Sequence, residues 1–186
     1  MTATALVPLA PGFEEIEAVT IVDVLRRGGV QVTTASLGER DVERAHGIRV
    51  KADATLDDAL GGGASYDAVV LPGGMPGATH LREDARVRAA ACGVVESGGT
   101  AAAICAAPIV LEAAGLLDGR RATAYPSFRD QLVSASPPVE GRVVEDGRIV
   151  TSAGPGTALE FALTLVARLS GPEVAEGLRS GMLVRS

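Results

Sequence analysis

Short apolar runs alternate along the chain with longer segments in which apolar positions recur every three or four residues. Thr4–Leu9 is a run of the first kind, ended by Pro11-Gly12, and predicts a buried strand. From Glu14 to Leu25, residues Ile16, Val19, Ile21, Val22 and Leu25 form a helical stripe that Gly28-Gly29 closes. Val30–Ala35 is rich in β-branched residues and predicts a second strand. Ile48–Ala52 predicts an edge strand and Ala59–Ser65 a glycine-rich loop. Ala68–Leu71 is a strand broken by Pro72-Gly73-Gly74; Arg86–Glu96 is a helix, Thr100–Ile104 a strand and Ala107–Ala114 a helix. Ala122–Tyr125 predicts a short strand, and Asp146-Gly147 a hairpin turn between Val143–Glu145 and Arg148–Ser152. Gly156-Thr157 opens a helix to about Leu169, and Pro172 to Met182 is the last helix. This order predicts an α/β fold, a mostly parallel sheet with helices on both faces. In such sheets chemistry gathers where strands end and helices begin.

Composition narrows the function classes. A length of 186 residues fits one domain, 1–186, with a core of its own. Seventeen basic against 23 acidic residues give a net charge of −6, and Lys51 is the one lysine. That balance argues against a phosphate-backbone binder, and 3% aromatic residues without tryptophan supply no base-stacking platform. Cys92 and Cys105 cannot build a disulfide framework. The start lacks a signal-peptide pattern, and no apolar run reaches the roughly 18 residues of a membrane span. The expectation is a cytoplasmic protein with no nucleic-acid or membrane partner.

Cys105 is the sharpest candidate for chemistry. It ends the run Ala101-Ala102-Ala103-Ile104 and precedes Ala106-Ala107-Pro108, with the proline suited to a first helical turn. A nucleophile on a tight strand-to-helix turn needs small neighbours, and a helix start favours a thiolate. A buried cysteine packing as a small hydrophobe would show the same local pattern. Gly73-Gly74 marks a second strand end, where backbone N–H groups can approach a ligand or a developing charge; a plain turn is the alternative. It is no phosphate loop, since the Lys-Ser/Thr pair is missing. Glu14, Glu15 and Glu17 read locally as acids complementing a helix dipole. Cys92 sits among alanines as a packing residue, and His46 and His80 follow turn-like segments without metal-ligand spacing.

Taken together, four ordered motifs resemble the ThiJ/PfpI superfamily, also called DJ-one, and within it the DJ-one/YajL-like branch. They are ALVPLAPGFEEIEAV, YDAVVLPGGMPGA, AAAICAAP and TSAGPGTALEFAL. The resemblance implies a flavodoxin-like three-layer sandwich that forms a homodimer. It implies that Cys105 is the reactive cysteine, with Glu17 protonated and hydrogen-bonded to the sulfur. Such protonation is physically reasonable, because a carboxylate against a thiolate is a like-charge pair in which one group should hold the proton. Gly73, Gly74 and Ala106 would supply backbone N–H groups to an oxyanion or a sulfinate. Tyr125 stands where many relatives carry a histidine, and His46 where some bring an arginine toward the partner's site. Ala106 after the cysteine, and the lack of any histidine beyond His80, argue against a protease or a glutamine amidotransferase.

The resemblance leaves two functions open. One is a thiol enzyme of glyoxalase or deglycase type, acting on small aldehydes such as methylglyoxal or on glycated adducts, with no cofactor and no metal. The other is a redox sensor or chaperone in which Cys105 is oxidised to sulfinate.

Overall fold

The structure is a computed structural model that describes residues 2–43, 46–136 and 139–184. Its strands are β1 (Thr4–Leu9), β2 (Gln31–Ser36), β3 (Asp41–Glu43), β4 (Arg49–Lys51), β5 (Ala54–Thr55), β6 (Ala68–Leu71), β7 (Thr100–Ile104), β8 (Val143–Asp146) and β9 (Ile149–Ser152). The helices are α1 (Glu15–Arg27), α2 (Leu56–Leu60), α3 (Gly77–Glu83), α4 (Ala85–Glu96), α5 (Pro108–Ala113), α6 (Ala158–Ser170) and α7 (Pro172–Gly181).

Seven strands form one sheet in the order β5-β2-β1-β6-β7-β9-β8, parallel except for the antiparallel β8 edge. The chain winds outward from β1 in one direction, then returns to β6 and winds in the other. This is the flavodoxin-like, doubly wound arrangement, whose strand order reverses between β1 and β6. Residues along the central strands alternate between two cores. Ala5, Val7, Leu9, Val70 and Ile104 face Ile21 and Leu25 of α1 and Phe161 and Leu165 of α6. Leu6, Val69, Leu71, Ala101 and Ala103 face Leu56 of α2, Leu81 of α3, Val87 of α4 and Leu111 of α5. Helices on both faces explain why these strands read as unbroken apolar runs rather than alternating ones. Among the described residues no helix is long and apolar enough to cross a membrane.

Three expectations need correction. Residues Arg49–Lys51 do not extend the main sheet; they pair antiparallel with Asp41–Glu43 in a separate two-stranded hairpin. That hairpin is tied to the sheet end where Gly12 N–H donates to the Glu43 carbonyl at 3.0 Å. The glycine-rich stretch is preceded by α2, whose Thr55 side chain caps Asp58 N–H, and Gly61–Gly63 is a single 3-10 turn. Ala122–Tyr125 is not a strand: Ala122 makes an isolated bridge, and Pro126–Gln131 turns into a 3-10 helix.

Candidate active site

The residues around Cys105 come from four strand ends on either side of the β1/β6 reversal. Cys105 itself follows β7 with φ +64°, a left-handed conformation that strains any residue with a Cβ. Two hydrogen bonds hold it there. Its N–H donates to the Ser152 carbonyl at 2.9 Å, and its carbonyl accepts from Tyr125 N–H at 2.9 Å. Ala106 and Ala107 are fully buried beneath the turn, so larger side chains would not fit. Cys105 is partly exposed, which leaves its thiol reachable.

The glycine turn after β6 closes one side. A Cβ at Gly73 would stand 2.7 Å from Cys105 Cβ and 2.8 Å from Glu17 Oε2, so only glycine permits this approach. Gly74 has φ +89°. The start of α1 is stitched to the same turn: Glu14 N–H donates to the Gly73 carbonyl at 2.9 Å, and Gly73 N–H donates to Glu17 Oε2 at 2.8 Å. Glu14 also caps the helix, its carboxylate accepting from Glu17 N–H at 2.7 Å. Glu17 is therefore fully buried on the first turn of α1, its side chain fixed by backbone rather than by solvent.

Electrostatics follow from that burial. Loss of water pushes the Glu17 carboxyl up to about 7; Gly73 N–H and the Cys105 thiol pull it down, and the Glu14 charge pushes it further up. Burial also pushes the Cys105 thiol up to about 12, helped by the charge of Glu17 and a hydrogen bond to it. Backbone N–H groups of Ala106 and Gly74 work against that rise by donating to the sulfur. Burial is the main cause of both rises, and an ionised Glu17 raises the thiol further, so the carboxyl gives up its proton before the sulfur does and Cys105 is held as the thiol rather than as the thiolate that a helix start would favour. Glu17 Oε1 is buried without a conventional hydrogen-bond donor, and the neighbouring thiol is its outlet.

Of the expected backbone donors, Ala106 and Gly74 reach the sulfur, whereas Gly73 spends its N–H on Glu17. Tyr125 adjoins the elbow through its backbone; its half-exposed ring lies over Gly154, whose added Cβ would meet Tyr125 Cδ2 at 3.2 Å. His46 has its side chain 71% exposed and its Nδ1 3.2 Å from Glu15 Oε2. Cys92 lies on α4, its Sγ 3.5 Å from the Ala114 carbonyl, and His80 Nδ1 lies 3.2 Å from the Pro11 carbonyl. Sequence reasoning missed the Ser152 carbonyl and the double role of Glu14. The first acts through the backbone and leaves no side-chain signal. The second was visible as an acid just before the helix, the position of a cap.

Comparison with known proteins places this geometry. A profile of the DJ-1/PfpI family matches residues 3–168. Protein DJ-1 homolog A of Arabidopsis thaliana is 43% identical over 99% of this chain, which covers only 47% of that protein, so the chain spans about half the length of that relative. Glutathione-independent glyoxalase DJR-1.2 of Caenorhabditis elegans is 38% identical, over 94% of this chain and 93% of its own. The crystal structure of Drosophila melanogaster DJ-1beta superposes with a TM-score of 0.95 at 41% identity, covering 100% of both chains. Full-length sequence identity at this level, together with the same fold, is decisive: the chain belongs to the DJ-1/PfpI family.

Proposed function

We propose that the protein is a cofactor-independent thiol enzyme that converts small reactive aldehydes, methylglyoxal among them, into hydroxy acids. The observation that carries this reading is the buried Glu17 carboxyl, held by Gly73 N–H beside the strained Cys105. An acid whose pKa lies near 7 can both give and take a proton at neutral pH. In the proposed sequence the Cys105 sulfur adds to the aldehyde carbon, forming a C–S bond as the S–H bond breaks and its proton passes to the Glu17 carboxylate. The carbonyl oxygen takes a proton from Glu17 while Ala106 and Gly74 N–H groups stabilise the negative charge as it develops. The Glu17 carboxylate then removes the hydrogen from that carbon and returns it to the adjacent carbonyl carbon, while the hydroxyl proton on the first carbon passes to the oxygen on the second, giving a thioester of lactate. Water cleaves the C–S bond, releasing lactate and restoring the thiol. Methylglyoxal plus water equals lactic acid, so no outside oxidant or reductant is needed. The C. elegans relative named as a glutathione-independent glyoxalase supports the same class. Deglycation of aldehyde adducts would use the same groups.

Lactate formation from methylglyoxal, measured beside Cys105→Ser and Glu17→Gln, tests the reading. Turnover falling at least a hundredfold in both variants is expected. Wild-type turnover in Cys105→Ser overturns it. A second reading, peroxide sensing, draws on the N–H groups of Ala106 and Gly74 at the sulfur, which would hold a sulfinate as well as an oxyanion. Mass spectrometry after graded peroxide separates the two: preferential oxidation of Cys92, or of neither cysteine, removes it. The protein is further proposed to form a homodimer through α1, where Ile16 and Val19 are 58% and 51% exposed one helical turn apart.

A further inference from the structure

A second cluster lies on the same helix start, beside the proposed chemistry and joined to it through Glu14, which caps Glu17 N–H. Glu14 and Glu15 meet His46, which the β3–β4 hairpin brings back from far along the chain; one ligand atom from each lies within 4.8 Å of the others. Glu15 carries the argument. Its side chain is only 7% exposed, and although its own backbone N–H and His46 approach the carboxylate, neither oxygen has a donor in good hydrogen-bond geometry. Buried carboxylates are normally saturated with donors or bound to a cation. Among the described residues the His46 imidazole lies against it, with Nδ1 at 3.2 Å from Oε2, and that side chain is 71% exposed. Glu14 uses one oxygen, Oε2, to cap the helix, which leaves the other for a ligand.

We propose that Glu14, Glu15 and His46 form a binding site for a divalent transition-metal ion of the zinc class. Two carboxylates and one imidazole are oxygen and nitrogen donors that suit zinc better than calcium or magnesium. Metal–ligand bonds of about 2.0–2.2 Å in tetrahedral geometry place ligand atoms about 3.3 Å apart. The Glu15–His46 pair already has that spacing, at 3.2 Å. The remaining closure falls to an exposed imidazole that is free to turn. Three protein ligands leave a fourth position for water. The bound ion would saturate Glu15 and fasten the hairpin to the start of α1, the helix that carries Glu17. The sulfur of Cys105 has no share in this site.

Zinc titration of the full chain against a chromophoric chelator is the test, with His46→Ala, Glu15→Gln and Cys105→Ser alongside and circular dichroism to follow folding. One equivalent should bind to the wild type and to Cys105→Ser, and at least tenfold more weakly to the two ligand variants. His46 is exposed, so its loss of binding cannot be traced to unfolding. Cobalt in place of zinc should show d–d absorption without a thiolate-to-cobalt charge-transfer band. No stoichiometric binding, affinity unchanged in His46→Ala, or a site that disappears in Cys105→Ser overturns the proposal.

Discussion

Glu17→Gln offers a quantitative check on the buried acid, read through stability rather than turnover. The folded chain raises the Glu17 carboxyl from its ordinary 4.5 to about 7. Folding therefore favours the protonated form. The associated stability is fully present below pH 4.5 and is lost as pH rises through about 7. At about 1.36 kcal/mol per pH unit the full effect is about 3.4 kcal/mol, of which about 2.5 kcal/mol develops between pH 5 and 8. Glutamine cannot ionise and can still accept from Gly73 N–H. Any fixed packing cost of the amide is the same at every pH and cancels in the comparison. Thermal melts from pH 5 to 8 should thus show the variant gaining on the parent by roughly 5–10 °C, using about 2–4 °C per kcal/mol for a chain of this size. Both chains should carry Cys105→Ser, so that the thiol adds no titration of its own. Two stability curves that stay parallel across this range would show that Glu17 is not perturbed, and the general acid–base role would go with it.

Other consequences are simpler to measure. Gly73→Ala places a Cβ 2.8 Å from the Ile104 carbonyl as well as against Cys105 and Glu17, so it should cost about 1–3 kcal/mol in denaturant melts and abolish turnover. Cys105→Gly relieves the +64° φ and should melt about 1 kcal/mol higher than Cys105→Ala, while both are inactive; a glycine variant that melts lower refutes the strain argument. Iodoacetamide should alkylate Cys105 several-fold faster at pH 8 in Glu17→Gln than in the wild type, because a neutral amide removes one cause that raises the thiol. Ile16→Glu should convert the proposed dimer to monomer in sedimentation, and a wild type that sediments only as monomer refutes the pairing.

The layered α/β fold was legible because β1, β6 and β7 are apolar without interruption and end at glycine or small-residue turns. Cys105 was legible for the same reason: alanines pack on both sides of it, and a proline follows at a helix start. Short elements were not. Asp41–Glu43 offers one valine between two acids, too little for a period of two to show. Helix α3 begins at Gly77, a poor helix former, and its core contact rests on Gly77, Ala78 and Leu81 alone. The division of labour at the glycine turn was hidden as well. Residue types can say that Gly73 and Gly74 expose their N–H groups, but only three dimensions show one aimed at Glu17 and the other at sulfur. His46 looked isolated because its carboxylate neighbours lie a hairpin away in sequence.

The reversal of strand order between β1 and β6 also governs when the thiol becomes unusual. Glu17 grows from the strand that starts the first half of the sheet, while Gly73, Cys105 and Ser152 follow strands of the second half. Until the two halves dock, Cys105 is an ordinary cysteine with an ordinary thiol, neither strained nor coupled to an acid. The abnormal titration of that one sulfur is thus a property of the completed assembly. A nascent or partly unfolded chain lacks this raised thiol, so its Cys105 alkylates faster near neutral pH than in the folded molecule, and the slow fraction in alkylation kinetics would count correctly folded molecules in a mixed population.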